Sequence, residues 1–180
     1  MNILHTERLE IVPASAEFIR LLATGEYERA SGLLNVFVPF GWPHDDDARA
    51  GLHLHLRAMQ ENALELPWRI RLIVRREGRE VIGSINLKGP LRQNGDVEIG
   101  WGVNAEHRGQ GIAIEAAGAV IAWVFSQAGV KRVVATIPED NVASMRVAER
   151  LGMSLTQERK RDLPMWALRR SDCSSSASRS

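Results

Sequence analysis

Apolar and polar positions along the chain fall into blocks that read as alternating strands and helices. Thr6 to Val12 places Leu9 and Ile11 on one face of a first strand, which Pro13 ends. Ser15 is an N-cap for a helix carrying Phe18, Ile19, Leu21 and Leu22, and Gly25 breaks it. A second short helix spans 26–34, and a third runs from His44-Asp45-Asp46-Asp47 to about Asn62. Trp68 to Arg76 alternates Ile70, Leu72 and Val74 against Arg69, Arg71 and Arg75, and a turn at 77–80 returns the chain as Val81 to Leu87. Gly83 in that strand marks a bulge or a close backbone contact. A mostly apolar run from Val97 to Val103 is followed by a polar turn and by a helix with Ile112, Ala116, Ala119, Val120, Trp123 and Val124 at helical spacing. Lys131 to Ile137 is a further, nearly all-apolar strand. Met145, Val147, Ala148 and Leu151 mark another helix, capped by Asp140 or Asn141 and stopped by Gly152. Segments 153–157 and 164–168 form a closing hairpin.

The turn between the strand at 97–103 and its helix reads Arg108-Gly109-Gln110-Gly111. The first N–H groups of a helix have no internal partner, and the helix dipole places partial positive charge there. Glycines at 109 and 111 permit positive φ and close approach of a ligand to the backbone. Arg108 adds a fixed charge, so the turn suits a pyrophosphate. The Walker pattern fails because Ile112-Ala113 follow the second glycine, and G-x-G-x-x-G fails at Ile114. A third pattern, Arg/Gln-x-x-Gly-x-Gly/Ala, is met by Arg108, Gly111 and Ala113.

Composition narrows the classes. A chain of 180 residues with 44% hydrophobic and 25% charged residues is one soluble domain, over 1–170, able to bury about 70% of its unfolded surface. A net charge of +1 argues against a nucleic-acid partner. The single cysteine, Cys173, can form no internal disulfide, which fits a cytoplasmic protein. No run of eighteen apolar residues predicts a membrane span. Residues 171–180, SDCSSSASRS, have little to bury and are expected to be a disordered tail.

Other features admit two readings each. The loop VFVPFGWP at 36–43 is either a pocket wall, with Phe37, Phe40 and Trp42 facing a cavity, or a loop anchored in the core by those aromatics. The aspartates at 45–47 suit a helix's first turn, or attract a cationic amine. His53 and His55 at i,i+2 point to different sides of a helix, so no metal site is expected.

The turn pattern, and the segment Asn141-Val142-Ala143-Ser144 followed by Arg150-Leu151-Gly152-Met153, resemble the GNAT superfamily of acyl-CoA-dependent N-acetyltransferases. TERLEIVP at the N-terminus and the central EIGWGV resemble its ribosomal-protein N-terminal acetyltransferase (RimJ/RimL-type) branch. The resemblance covers about Thr6 to Leu168 and implies an α/β (α+β) fold. Its single mixed, mostly antiparallel sheet would have about seven strands, with one parallel splayed pair, flanked by helices. It implies acetyl-CoA as cosubstrate, a primary amine as acceptor (a peptide N-terminus or a small molecule), and a monomer or homodimer.

The resemblance also assigns residues. The turn Arg108, Gly109, Gln110, Gly111, Ile112 and Ala113 would hold the coenzyme A pyrophosphate, and main-chain groups of Trp101 and Val103 would pair with the pantetheine arm. Gly100 and Gly102 would form the bulge that splays this strand from the next, or else clear space for a large side chain. Glu98 is the candidate general base, because burial in its strand would raise a carboxylate's pKa; it could equally be exposed or paired to an arginine. Ser144 is the candidate acid for the departing thiolate and Asn141 a contact to pantetheine, though both residue types also cap helices. Glu115 reads as structural or helix-terminal charge. The short segment 155–164 leaves little room for a substrate-covering loop. The rival classes are a non-catalytic acyl-CoA-binding module and, third, a nucleotide-binding oxidoreductase.

Overall fold

A computed structural model describes residues 2–44, 46–61, 68–89 and 91–172. Among the described residues eight strands form one sheet: β1 (Leu4–His5), β2 (Leu9–Pro13), β3 (Ile70–Arg75), β4 (Glu80–Leu87), β5 (Asp96–Val103), β6 (Arg132–Thr136), β7 (Ser154–Lys160) and β8 (Leu163–Arg169). Their order is β1-β2-β3-β4-β5-β6-β8-β7, and every pairing is antiparallel except β5 with β6. Helices α1 (Ala16–Ala23), α2 (Tyr27–Leu34), α3 (Asp46–Glu61), α4 (Ile112–Ser126) and α5 (Val142–Arg150) accompany it. The sequence expectation of about seven strands omitted the two-residue β1.

Two apolar cores lie on opposite faces of the sheet. Ile73, Ile85, Val97, Ile99 and Val133 pack under α4 with Ala116 and Val120. Leu72, Val74 and Val81 pack under α1 to α3 with Phe18, Ile19 and Leu52. The central strands are therefore covered twice, which explains the one place where alternation misled. Arg71, read as lying on the polar face of β3, is 2% exposed. Its guanidinium lies 4.2 Å from the ring centroid of Trp123 and donates to the Asn2 carbonyl at 3.2 Å. Burial holds its pKa below the usual arginine range, at about 10.

Local chemistry sets several boundaries. Ser15 Oγ accepts from Phe18 N–H at 3.1 Å and starts α1. The loop at 36–43 divides its aromatics. Trp42 is buried and donates Nε1–H to Asn104 Oδ1 at 3.1 Å, whereas Phe37 and Phe40 are 58% and 86% exposed. Neither sequence reading covers both outcomes. In β4 the pairing slips from Ile73↔Gly83 to Val74↔Val81, so Ile82 is a bulge residue. Gly83 is also a close approach, since a Cβ there would lie 2.3 Å from the Gly102 carbonyl oxygen. The closing hairpin turns on Arg161 and Asp162 alone, both at positive φ (51° and 64°), as a two-residue turn requires. Arg170, Ser171 and Asp172 are helical after β8. The rest of the expected tail, and the side chains of Asp45, Asp46 and Asp47, lie outside the described residues.

Candidate functional site

The site begins where β5 and β6 part. They pair only at Asp96↔Arg132, Val97↔Val133 and Glu98↔Val134. Beyond Glu98, β5 stays with β4 in unbroken register from Leu87↔Ile99 to Gly83↔Val103. Lys88 N–H donates to the Glu98 carbonyl and Asn104 N–H to the Ile82 carbonyl, each at 2.9 Å. Bonding alternates along an antiparallel strand, so Ile99, Trp101 and Val103 turn their main-chain groups away from β4 and into the gap. The Val103 carbonyl is met there by Arg108 Nε at 3.0 Å. The splay expected at Gly100 and Gly102 is present, but without a bulge in β5: the strands part because β6 leaves.

On the α4 side of the gap, a short 3₁₀ turn at Ala105–His107 leads into Arg108-Gly109-Gln110-Gly111. Gly109 and Gly111 stand at φ +75° and +77° with no atom near enough to bar a Cβ, so backbone conformation, not crowding, demands glycine. Gly111 is the N-cap of α4 and supplies no side-chain cap, leaving the first N–H groups of the helix directed into a cleft that Ile112, Ala113 and Ile114 line. The Arg8 guanidinium, missed in the sequence, reaches this mouth. It donates to the Gln110 carbonyl at 3.0 Å and to Glu115 Oε2 at 2.7 Å. Glu115 also accepts from Thr6 Oγ1 at 2.5 Å and Arg8 N–H at 3.0 Å, which bears out its structural reading. Of the residues assigned to the coenzyme and to catalysis, Gln110 alone is outside the cleft lining; its side chain donates to the Glu106 carbonyl.

Across the cleft, Asn141 caps α5: its Oδ1 accepts Ser144 N–H at 3.0 Å. The capping alternative therefore describes the Asn141 oxygen, and Asn141 and Ser144 both line the cleft. The cleft measures about 1760 Å³, larger than the ~300–1,000 Å³ of a single small-ligand pocket.

The opposite side of the gap is set by period-two alternation. Val97 and Ile99 face α4, so Glu98 faces the other way, 2% exposed. Oε1 accepts from Lys88 Nζ at 3.0 Å and Thr136 Oγ1 at 3.1 Å; Oε2 accepts from Arg92 Nη2 and Lys160 Nζ, both at 2.6 Å. Burial alone would raise this pKa, as the sequence suggested. The hydrogen bonds and charges of Lys160 and Lys88 outweigh it and hold the carboxyl at about 2. The expected raised pKa is thus corrected, and the paired alternative describes Glu98, with lysines joining the arginine. The sequence named none of the three cations, and Lys160 arrives from a strand 62 residues away. The wall above is α3, whose His55 lines the same cleft with Nδ1 buried and without a hydrogen-bond partner. Burial, then Arg69 and Lys88, push the His55 pKa down to about 4, so the imidazole is neutral at pH 7.

An open mixed sheet with one splayed parallel pair and an uncapped glycine turn at the helix facing the splay defines an acyl-CoA-type transferase fold. The family model for the GNAT acetyltransferase domain matches residues 8–154, and the chain belongs to that family. It is 34% identical over 87 residues to the uncharacterized N-acetyltransferase YjdG of Bacillus subtilis, a match spanning 48% of this chain and about half (52%) of that protein. Among solved structures, an acetyltransferase from Agrobacterium tumefaciens superposes with a TM-score of 0.64 at 26% identity, covering 94% of this chain and 95% of that one. The ribosomal L7/L12 α-N-protein acetyltransferase RimL, solved in complex with coenzyme A, shares the fold at a TM-score of 0.63 and 19% identity, covering 93% and 98%. Among the described residues no helix is long and apolar enough to cross a membrane, and no cluster of potential metal ligands occurs.

Proposed function

We propose that this chain is an acetyl-CoA-dependent N-acetyltransferase that acetylates a primary amine, of a peptide N-terminus or a small molecule, by direct transfer in a ternary complex. One observation carries the reading: the gap between β5 and β6 joins the uncapped mouth of α4 on one face of the sheet to a polar pocket on the other. The mouth fits a diphosphate, because its N–H groups are unclaimed by side chains and two guanidinium groups, Arg8 and Arg108, stand beside it. Bound acetyl-CoA would supply a thioester, an acyl carbon open to attack by an amine.

The chain's own residues would do the rest. Trp101 and Val103 offer main-chain groups to the pantetheine amides, with the Asn141 side-chain amide opposite. A main-chain N–H in the gap is a fixed donor for a developing oxyanion. The Ser144 hydroxyl is the proton source for the departing thiolate. Glu98, already ionised and saturated by four donors, is an anchor for the lysines and a poor base. The neutral imidazole of His55, which lines the cleft with an unbonded Nδ1, is the remaining candidate proton acceptor on that face.

The locked state of Glu98 is also what favours the second reading, a non-catalytic acyl-CoA-binding module. Thiol release from acetyl-CoA across an amine panel separates the two. Release that depends on the amine, with N-acetylated product, supports the enzyme; tight acetyl-CoA binding with no release above background supports the module.

A further inference from the structure

Glu98 has one negative charge and meets three positive ones, from Lys88, Arg92 and Lys160. Their exposures differ in a way that decides what a substrate meets. The Glu98 side chain is 1% exposed, whereas those of Lys88 and Lys160 are 46% and 36% exposed and line the cleft. An entering molecule therefore touches two ammonium groups and not the carboxylate beneath them. Each ammonium has three N–H donors and directs one at Glu98. Glu98, itself bonded by the Thr136 hydroxyl, holds the pair in place before any ligand arrives, so little reorganisation is needed to use them.

The surrounding charges point the same way. Arg69 and Arg161 border the same cleft, with Glu61 acting on Arg69. The other carboxylates in the lining, Glu106 and Glu149, stand at the 3₁₀ turn and on α5. Among the described residues, then, this side of the gap presents an excess of cations that repels diamines and attracts acids.

Resting on the acetyl-transfer reading, we propose that the acceptor is an amine bearing an anionic group, a carboxylate or phosphate, which docks on Lys88 and Lys160. Glu98 and the gap residue Trp101 are three residues apart on β5, about 10 Å along a strand. The anion and the reacting nitrogen are thus separated by a short spacer. The same cations lower the pKa of an amine held beside them, which favours the neutral nucleophile.

The test uses the full-length protein and acetyl-CoA with a series of ω-amino acids of increasing length, aminoalkyl phosphates and short peptides with acidic first residues. Each is paired with its uncharged amide or ester counterpart, and a diamine is included. The expected result is a kcat/KM for the anionic amine about tenfold or more above its neutral partner. Lys88→Met and Lys160→Met should each shrink that ratio, through KM, while acetyl-CoA affinity holds. The arm of the panel that responds best identifies the anion and its source. Equal or better turnover of neutral or cationic amines overturns the proposal and leaves the acetyltransferase reading standing. If no amine turns over, calorimetry of the N-acetylated acids against their amides, titrated into the coenzyme A complex, decides. Preferential binding of the acids supports the proposal, and no preference or no binding overturns it. Failure to bind acetyl-CoA at all removes the acetyltransferase reading, and this inference with it.

Discussion

Lys160 Nζ lies 2.6 Å from Glu98 Oε2, joining the tip of the last hairpin to the point where the central strands separate. With Lys88 and Arg92 it makes Glu98 a permanent anion. Replacing Glu98 by Gln leaves three cations around a buried neutral amide, a change that costs about 3 kcal/mol or more. The folded carboxyl, at about 2, sits below its ordinary 4.5. Its stabilisation is thus complete above about pH 5 and disappears as pH falls from 4.5 towards 2. Urea unfolding should show a constant gap between wild type and Glu98→Gln at pH 5 to 8 that narrows at pH 3. The pH–rate profile between 5 and 9 should keep its shape in the variant. Loss of an inflection in that range would assign Glu98 the role of base instead.

His55 titrates the other way in sign of charge but with the same slope. Its folded pKa of about 4 lies below the ordinary 6.5, so the unfolded chain binds the proton first. Stability contributed by the neutral imidazole is whole above about pH 6.5 and is lost as pH falls towards 4, by about 3 kcal/mol. His55→Asn should flatten the wild-type stability curve between pH 7 and 4. It should also abolish any rate inflection that reports on a proton acceptor. Identical curves for the two proteins would show that His55 is exposed to water when folded.

Glu115 gathers Thr6 Oγ1, Arg8 N–H and the Arg8 guanidinium onto one carboxylate. Glu115→Ala removes the acceptor for all three and should cost about 1–3 kcal/mol. Hydrogen exchange should rise at the first turn of α4 and at Leu9, where the linkage acts, and remain unchanged in β7 and β8. Uniform destabilisation without local exchange would contradict the clasp.

Gly83 cannot accept a side chain without separating β4 from β5, since its Cβ would fall 2.3 Å from the Gly102 carbonyl oxygen. Gly83→Ala should destabilise by about 3 kcal/mol, read by thermal or urea unfolding. A neutral substitution would mean that the two strands are further apart than described.

Where one face of an element meets solvent, or a cap has a fixed chemistry, the sequence was a sufficient guide. Ser15 and Gly111 were placed from local rules, and the order of strand, glycine turn and helix follows from apolar spacing. Arg71 was misread because β3 is covered on both faces, so alternation carries no information about exposure there. The Glu98 cluster was half legible. The apolar strand foretold burial, but Lys88 just past β4, Thr136 of β6 and Lys160 of β7 are three of its partners, and Arg92 lies in the turn before β5, a convergence that no local pattern encodes. Asn141 was read both as a helix cap and as a pantetheine contact; its oxygen makes the cap, and no local pattern divides one side chain between two uses.

The central claim is that the mouth of α4 holds the diphosphate of acetyl-CoA. Calorimetric titration of wild type and Gly111→Val with acetyl-CoA and with acetyl-pantetheine, which lacks the phosphates, tests it most directly. A β-branched residue is strained at φ +77° and displaces the first N–H groups of the helix. The account predicts that the variant stays folded, loses about tenfold or more in affinity for acetyl-CoA, and binds acetyl-pantetheine as wild type does. Unchanged acetyl-CoA affinity, or an equal loss for both compounds, would contradict it.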